Sequence, residues 1–273
     1  MTDPPTDPPL GPIAERVRRH DPDRFLTALF APPDRREALL TLYAFDHELA
    51  RAREVASEPP LALIRLHWWR EIVEGARKRH ETATPLGVLL DSGLLSPEGL
   101  LPVIDAYETE AEPAIDTLAA WRDWLLAGEG GIAVAAAALL GGDVPSGLTP
   151  ERFRPLGAAV GAARVIRGNR VLASRGRCLL PANLLAAEGM SVEEAIAAPG
   201  SAAVAAVLRR LATEGQGFLA AGPAGRIPRA LIAAALPAVL ARRDLRRGAA
   251  AEAGPRALGD RLAVTWAGLT GRV

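Results

Sequence analysis

The 273-residue sequence is poor in the residues that commit a chain to most chemistries. It has a single cysteine, Cys178, so no internal disulfide framework exists and a reducing cytoplasm suits it. Aromatic residues make up 4%, and the β-branched and aromatic types are too thinly spread for a large sheet. Long apolar runs are lacking too. The two longest, 130–142 and 230–241, are about a dozen residues each, and Pro237 interrupts the second; a bilayer-spanning helix needs about 20. A soluble chain, with at most peripheral membrane contact, is expected. There is no charge of one sign to exploit, since 32 basic residues balance 32 acidic ones, which leaves no global field for nucleic acid. His20, His47, His67 and His80 have no metal-ligand spacing with one another or with Cys178, and no Walker loop, dinucleotide fingerprint, nucleophile elbow or zinc motif occurs. The first ten residues, MTDPPTDPPL, lack the basic and apolar regions of an export signal; they read as a disordered tail, and a cytoplasmic location is expected.

What is abundant is alanine and leucine, within a hydrophobic fraction of 49%. Such a composition predicts an all-α protein of closely packed helices. Proline and glycine breaks divide 11–273 into helices at about 13–20, 22–30, 33–57, 60–79, 84–91, 97–110, 114–126, 132–140, 149–174, 201–221, 227–246 and 255–270. The glycine-rich stretch 128–131 is expected to separate the helices on either side of it, and Leu180-Pro181 to open a connector. No repeat or internal linker is present, so one helical domain is expected.

The most informative stretch runs from Leu39 to Arg70. Read as a helix, its opening turns place Leu42, Phe45 and Leu49 on a core stripe, with Tyr43, His47, Ala50 and Glu54 on the adjoining one and Asp46 beside them. The run Leu42-Tyr43-Ala44-Phe45, followed by charges, Ser57-Glu58-Pro59 and Arg65-Leu66-His67-Trp68-Trp69-Arg70, resembles the squalene/phytoene synthase family. A second block, Ile166-Arg167 through Arg175-Gly176-Arg177 and Leu180-Pro181, resembles that family's second motif. The resemblance implies an isoprenoid-synthase-like helical bundle around a central cavity, in which two prenyl diphosphates are condensed with magnesium.

Magnesium chemistry of that kind needs two acidic clusters facing one another, because the ion bridges phosphate oxygens to a few carboxylates. On this chain the first cluster's positions fall on Ala50, Arg51 and Glu54, and the second's on Gly168 and Leu172. Only Glu54 is acidic. No acid occurs between Glu151 and Glu188; Arg164, Arg167, Arg170, Arg175 and Arg177 stand there instead. No metal or other cofactor is therefore expected, with magnesium implied only under the alternative of an active prenyltransferase with an atypical metal site.

Other residues have two readings. Asp105, Glu108 and Glu112 share a helical stripe that reads as a solvated face. Gly157, Gly161 and Gly168 lie on one side of a long helix, either for close packing or to leave room for a hydrocarbon chain. Trp68 and Trp69 read as core and rim, and Arg242, Arg243, Arg246 and Arg247 as cations suited to a helix C-terminus. Tyr43, Asp46, His47, Arg164, Arg167 and Asn169 are the candidate ligand or diphosphate contacts. One branch of the family, similar in Tyr43-Ala44-Phe45 and the Trp-Trp-Arg block, consists of assembly factors for respiratory complex I. It implies a catalytically inactive protein acting on complex I subunits or on a prenyl or other lipid ligand, peripheral to the inner membrane.

Overall fold

The computed structural model describes residues 10–54, 59–112, 114–141, 148–251 and 253–273. The expected tail and the expected helix end at 55–57 fall outside these, apart from residue 10. Fourteen α-helices are found among them: α1 (Pro12–His20), α2 (Pro22–Ala28), α3 (Pro33–Glu54), α4 (Pro59–Val73), α5 (Ala83–Asp91), α6 (Pro97–Ala111), α7 (Leu118–Leu140), α8 (Arg154–Ser174), α9 (Ala182–Ala187), α10 (Val192–Ala197), α11 (Ala202–Ala221), α12 (Ile232–Ala235), α13 (Pro237–Arg247) and α14 (Leu258–Thr270). The protein is 74% helical, and the described residues contain no strand.

Local chemistry explains most boundaries. Proline occupies the first turn of α1, α2, α6 and α13, where its missing N–H costs nothing. The side chains of Asp21, Ser96, Thr117, Ser191 and Ser201 each accept a backbone N–H at a helix start. α4 stops at Val73, short of the expected 79, because Gly75 adopts φ +118° and turns the chain. α9 and α10 lie in the stretch expected as a connector, and Pro237 divides the expected helix 227–246 into α12 and α13.

The main departure is α7. The glycines at 128, 130 and 131 do not break it; they sit inside one continuous helix. They are there for approach, because a Cβ on Gly131 would lie 2.7 Å from Val103 Cγ2 of α6. On the facing helix, a Cβ on Gly157 would lie 2.1 Å from the Glu129 carbonyl oxygen, and one on Gly161 would lie 2.6 Å from Leu125 Cδ2. α7 and α8 thus touch almost backbone to backbone at the middle of the bundle. The merged α7 is long and apolar enough to cross a membrane by length and composition, but 61% of that window is buried inside the protein.

Two apolar cores flank this pair. One joins α1, α3–α6, α12 and much of α13 around Leu39, Leu42, Phe45, Leu100 and Ile104. The other joins α8, α9 and α11 around Trp121 and Leu125 at the start of α7. Trp121 is fully buried, and its Nε1–H donates to the Leu179 carbonyl at 3.1 Å.

Candidate functional site

Helical spacing brings Tyr43 and Asp46 to the inner face of α3, where they meet side chains from four other elements. Arg24, on α2, is 4% exposed and Asp46 2%, so both charges are taken from water. They are paired. Arg24 donates to Asp46 and, at 2.6 Å, to Glu129 of α7, while its guanidinium lies 4.6 Å from the Tyr43 ring centre. The Tyr107 hydroxyl of α6 donates to Asp46 Oδ1 at 2.8 Å. Arg164 of α8 closes the group, donating to Glu129 and to Asp21 and standing 3.7 Å from Asp46. Three carboxylates therefore share two arginines, which is how a buried charge cluster becomes tolerable.

The pKa directions follow from this crowding. Burial pushes Asp21 upward, but Arg164 and Arg24 outweigh it and hold the carboxyl below the usual range. Glu129 goes the other way; burial raises it, and the same two arginines offset that only in part, with Asp46 and Asp21 adding repulsion. Burial likewise lifts the Tyr43 phenol to about 12. The void left at this centre, between Tyr43, Glu129 and Gly157, is only about 10 Å³.

The room lies beside it. A cleft of about 990 Å³ opens between α2, α8, α13 and the 253–256 segment. Phe25, Leu26, Leu29, Val160 and Leu240 give it an apolar wall. Seven arginines and three aspartates line the rest, a net positive surface. Arg164 is the link: its side chain is 40% exposed because it faces this cleft while gripping Glu129 and Asp21 behind it. A second ion-pair chain shapes the far side. Arg256 donates to Asp23 of α2 and Asp244 of α13, at 2.8 Å each, and fastens the 253–256 segment. Arg243 and Arg247 both donate to Asp260 of α14, so these two cations hold a helix in place as well as suiting the end of their own.

Of the six candidate contacts, His47, Arg164 and Arg167 line the cleft. Tyr43 and Asp46 lie one layer beneath it, within the ion network. Asn169 faces elsewhere, its amide donating to the Pro199 carbonyl at 3.3 Å. His47 stacks on His20 with ring centres 4.7 Å apart; burial and the neighbouring His20 hold its pKa below the ordinary value. The three glycines divide between their two readings: Gly157 and Gly161 serve close packing, whereas Gly168 has no atom within 4 Å of a would-be Cβ and lines the cleft. Asp105 and Glu108 pair with Arg70 on a solvated face, as expected.

A magnesium pair does not fit these residues. Ala50, Gly168 and Leu172 carry no donor atom, and Arg51 pairs with Glu48 at 3.5 Å; the Glu54 side chain lies outside the described residues. Among the described residues no group of three or more His, Cys, Asp or Glu is disposed to hold a metal ion. Acids away from the motif positions do converge on the bundle centre, but they converge on guanidinium groups. Arg24, Asp21 and Glu129 were not singled out from the sequence as site residues. The signal for Glu129 was slight: one acid among glycines, in a run read as a loop.

The helical arrangement is that of the isoprenoid synthase fold. It is similar to the crystal structure of squalene synthase HpnC from Alicyclobacillus acidocaldarius, with TM-score 0.69 at 16% identity over 86% of this chain and 90% of that one. It is also similar to a dehydrosqualene synthase, with TM-score 0.65 at 12% identity over 86% of this chain and 82% of that one. The squalene/phytoene synthase family profile matches residues 17–266, and the chain belongs to that family. Two curated relatives are described as NADH dehydrogenase (ubiquinone) complex I, assembly factor 6. The Bos taurus protein is 22% identical over 66% of this chain and 55% of its own length; the Homo sapiens protein is 26% identical over 34% and 29%. At 55%, the chain spans about half the length of the bovine relative.

Proposed function

We propose that this protein is a squalene/phytoene synthase family member without prenyl-coupling activity, which acts by binding. The observation that carries the reading is the central ion network. Asp21, Asp46 and Glu129 are already paired with Arg24 and Arg164, and the motif positions at 50, 51, 168 and 172 supply no carboxylate. A divalent ion entering there would have to displace two arginines from buried acids and then sit beside their charge.

The ligand class follows from the cleft, whose apolar wall and arginine lining suit an anionic amphiphile such as a prenyl diphosphate or a lipid. Arg164 and Arg167 would hold the headgroup without a metal, since guanidinium groups pair well with phosphate oxygens. The biological role we propose is assembly of respiratory complex I, which the description of the curated relatives supports; a cytoplasmic location at the inner membrane is part of the same proposal.

Incubating the purified protein with magnesium and farnesyl or geranylgeranyl diphosphate tests the central claim. No diphosphate release above background is expected, and release at an enzyme-like rate, with a coupled prenyl product, would favour an active prenyltransferase instead. Native mass spectrometry is expected to show a bound anionic lipid, and a pull-down from native membranes to recover complex I subunits.

A further inference from the structure

Among the described residues, α14 keeps one apolar face exposed. Leu258, Leu262, Trp266 and Leu269 recur at helical spacing, and they are 73%, 58%, 70% and 70% exposed. The opposite side of the helix, with Asp260, Val264 and Ala267, is the buried one. An ordinary surface helix shows water its polar side, whereas α14 buries Val264 and Ala267 and also presents four large apolar residues to water.

Arginines stand beside the stripe. From Gly222 to Arg243 the sequence holds Arg226, Arg229, Arg242 and Arg243 and no carboxylate. From Ala253 to Arg272 it holds Arg256, Arg261 and Arg272 against a single acid, Asp260, which is buried and paired with Arg243 and Arg247. Arg226 donates to the Thr270 carbonyl, and its backbone pairs with that of Arg272, which sets two cations at the end of the stripe. A Cβ on Gly259 would meet the Arg243 guanidinium at 3.5 Å, which places a further cation along the flank. Arg261, between Leu258 and Leu262, also lines the cleft.

We propose that this face of α14 docks on an anionic lipid bilayer. A tryptophan and three leucines entering the headgroup region, ringed by arginines that meet lipid phosphates, is the recognised physics of an interfacial helix. An apolar protein partner would not require the arginines at 226, 261 and 272. Docking in this pose sets the cleft, through Arg261, next to the membrane from which an amphiphile would enter. The docking itself does not depend on the cleft's occupant or on whether the family chemistry is lost.

Flotation of the full chain with vesicles of phosphatidylcholine, with and without phosphatidylglycerol, tests the proposal. The wild type is expected to float with the anionic vesicles and to lose most binding at high salt. Trp266→Ser with Leu269→Ser should lower binding on the order of tenfold or more. Arg261→Glu with Arg272→Glu should abolish the preference for anionic lipid. Because the substituted side chains are exposed, circular dichroism should be unchanged in both variants. Failure of the wild type to float, or equal flotation of the Trp266/Leu269 variant, overturns the proposal. So does conversion of a wild-type oligomer to monomer by that variant without any lipid binding, which would assign the stripe to a second copy of the chain.

Discussion

The same substitution at two glycines of α8 should move stability in opposite directions. Replacing a helical glycine by alanine gains about 1 kcal/mol of propensity wherever the new methyl meets nothing. At Gly168 it meets nothing within 4 Å, so Gly168→Ala should stabilise the protein by roughly 0.5–1 kcal/mol. At Gly157 the methyl would lie 2.1 Å from the Glu129 carbonyl oxygen and 2.7 Å from Ala133 Cβ. Neither neighbour is a flexible chain end, so α7 and α8 must move apart. Overpacking of this kind costs about 1–3 kcal/mol, and here the contact is with backbone, at the upper end of that range. After the propensity gain, Gly157→Ala should destabilise by about 1–2 kcal/mol. Equilibrium urea unfolding followed by far-ultraviolet circular dichroism measures both. If Gly157→Ala is as stable as Gly168→Ala, the backbone contact between the helices is not what the glycines are for, and the account of the bundle centre fails.

Two further predictions concern the site. Arg24→Met removes the cation that serves two buried carboxylates and should cost about 3–5 kcal/mol in the same assay, with partial recovery when Asp46→Asn is added; a cost under about 1 kcal/mol would show that Arg164 alone suffices. His47 supplies a pH signature. Its folded pKa is depressed by burial and by His20, so the unfolded chain takes up the proton first as pH falls. The stability it contributes is therefore fully present above the unfolded value, about 6.5, and is lost as pH drops through the folded one. His47→Asn should flatten the loss of stability just below neutral pH, measured as midpoint against pH; an unchanged profile refutes the assignment.

The frame of the protein was legible in the sequence, and its centre was not. Proline and Ser/Asp caps place the starts of α2, α3 and α6, because those signals act within one helical turn. The blocks around Tyr43 and Arg164 identify the family for a similar reason, being local strings. Glycine misled at 128–131, since the same residue that ends helices also lets two helices touch, and only the facing Gly157 and Gly161 decide between those uses. Glu129 was invisible as a site residue once its segment was read as a loop. Arg24 was invisible because an arginine in a short surface helix is ordinarily solvated, and its burial depends on acids contributed by α3 and α7, 22 and 105 residues away.

The spacing along α3 and α8 bears on the proposal that the protein binds without turning over. Ala50 lies four residues after Asp46, and Gly168 four after Arg164, so each vacated motif position sits one helical turn, about 6 Å, along the axis from the ion network. Returning aspartates to those positions would not by itself rebuild a metal site, because Arg164 and Arg167 would still face the ion. The same arginines suit a bound phosphate, for which a fixed guanidinium can replace a metal as counter-charge. On the proposed reading, the absence of acids at the motif positions and the presence of the cleft arginines are compatible in one protein: the first denies a departing diphosphate its metal, and the second would suit a bound one.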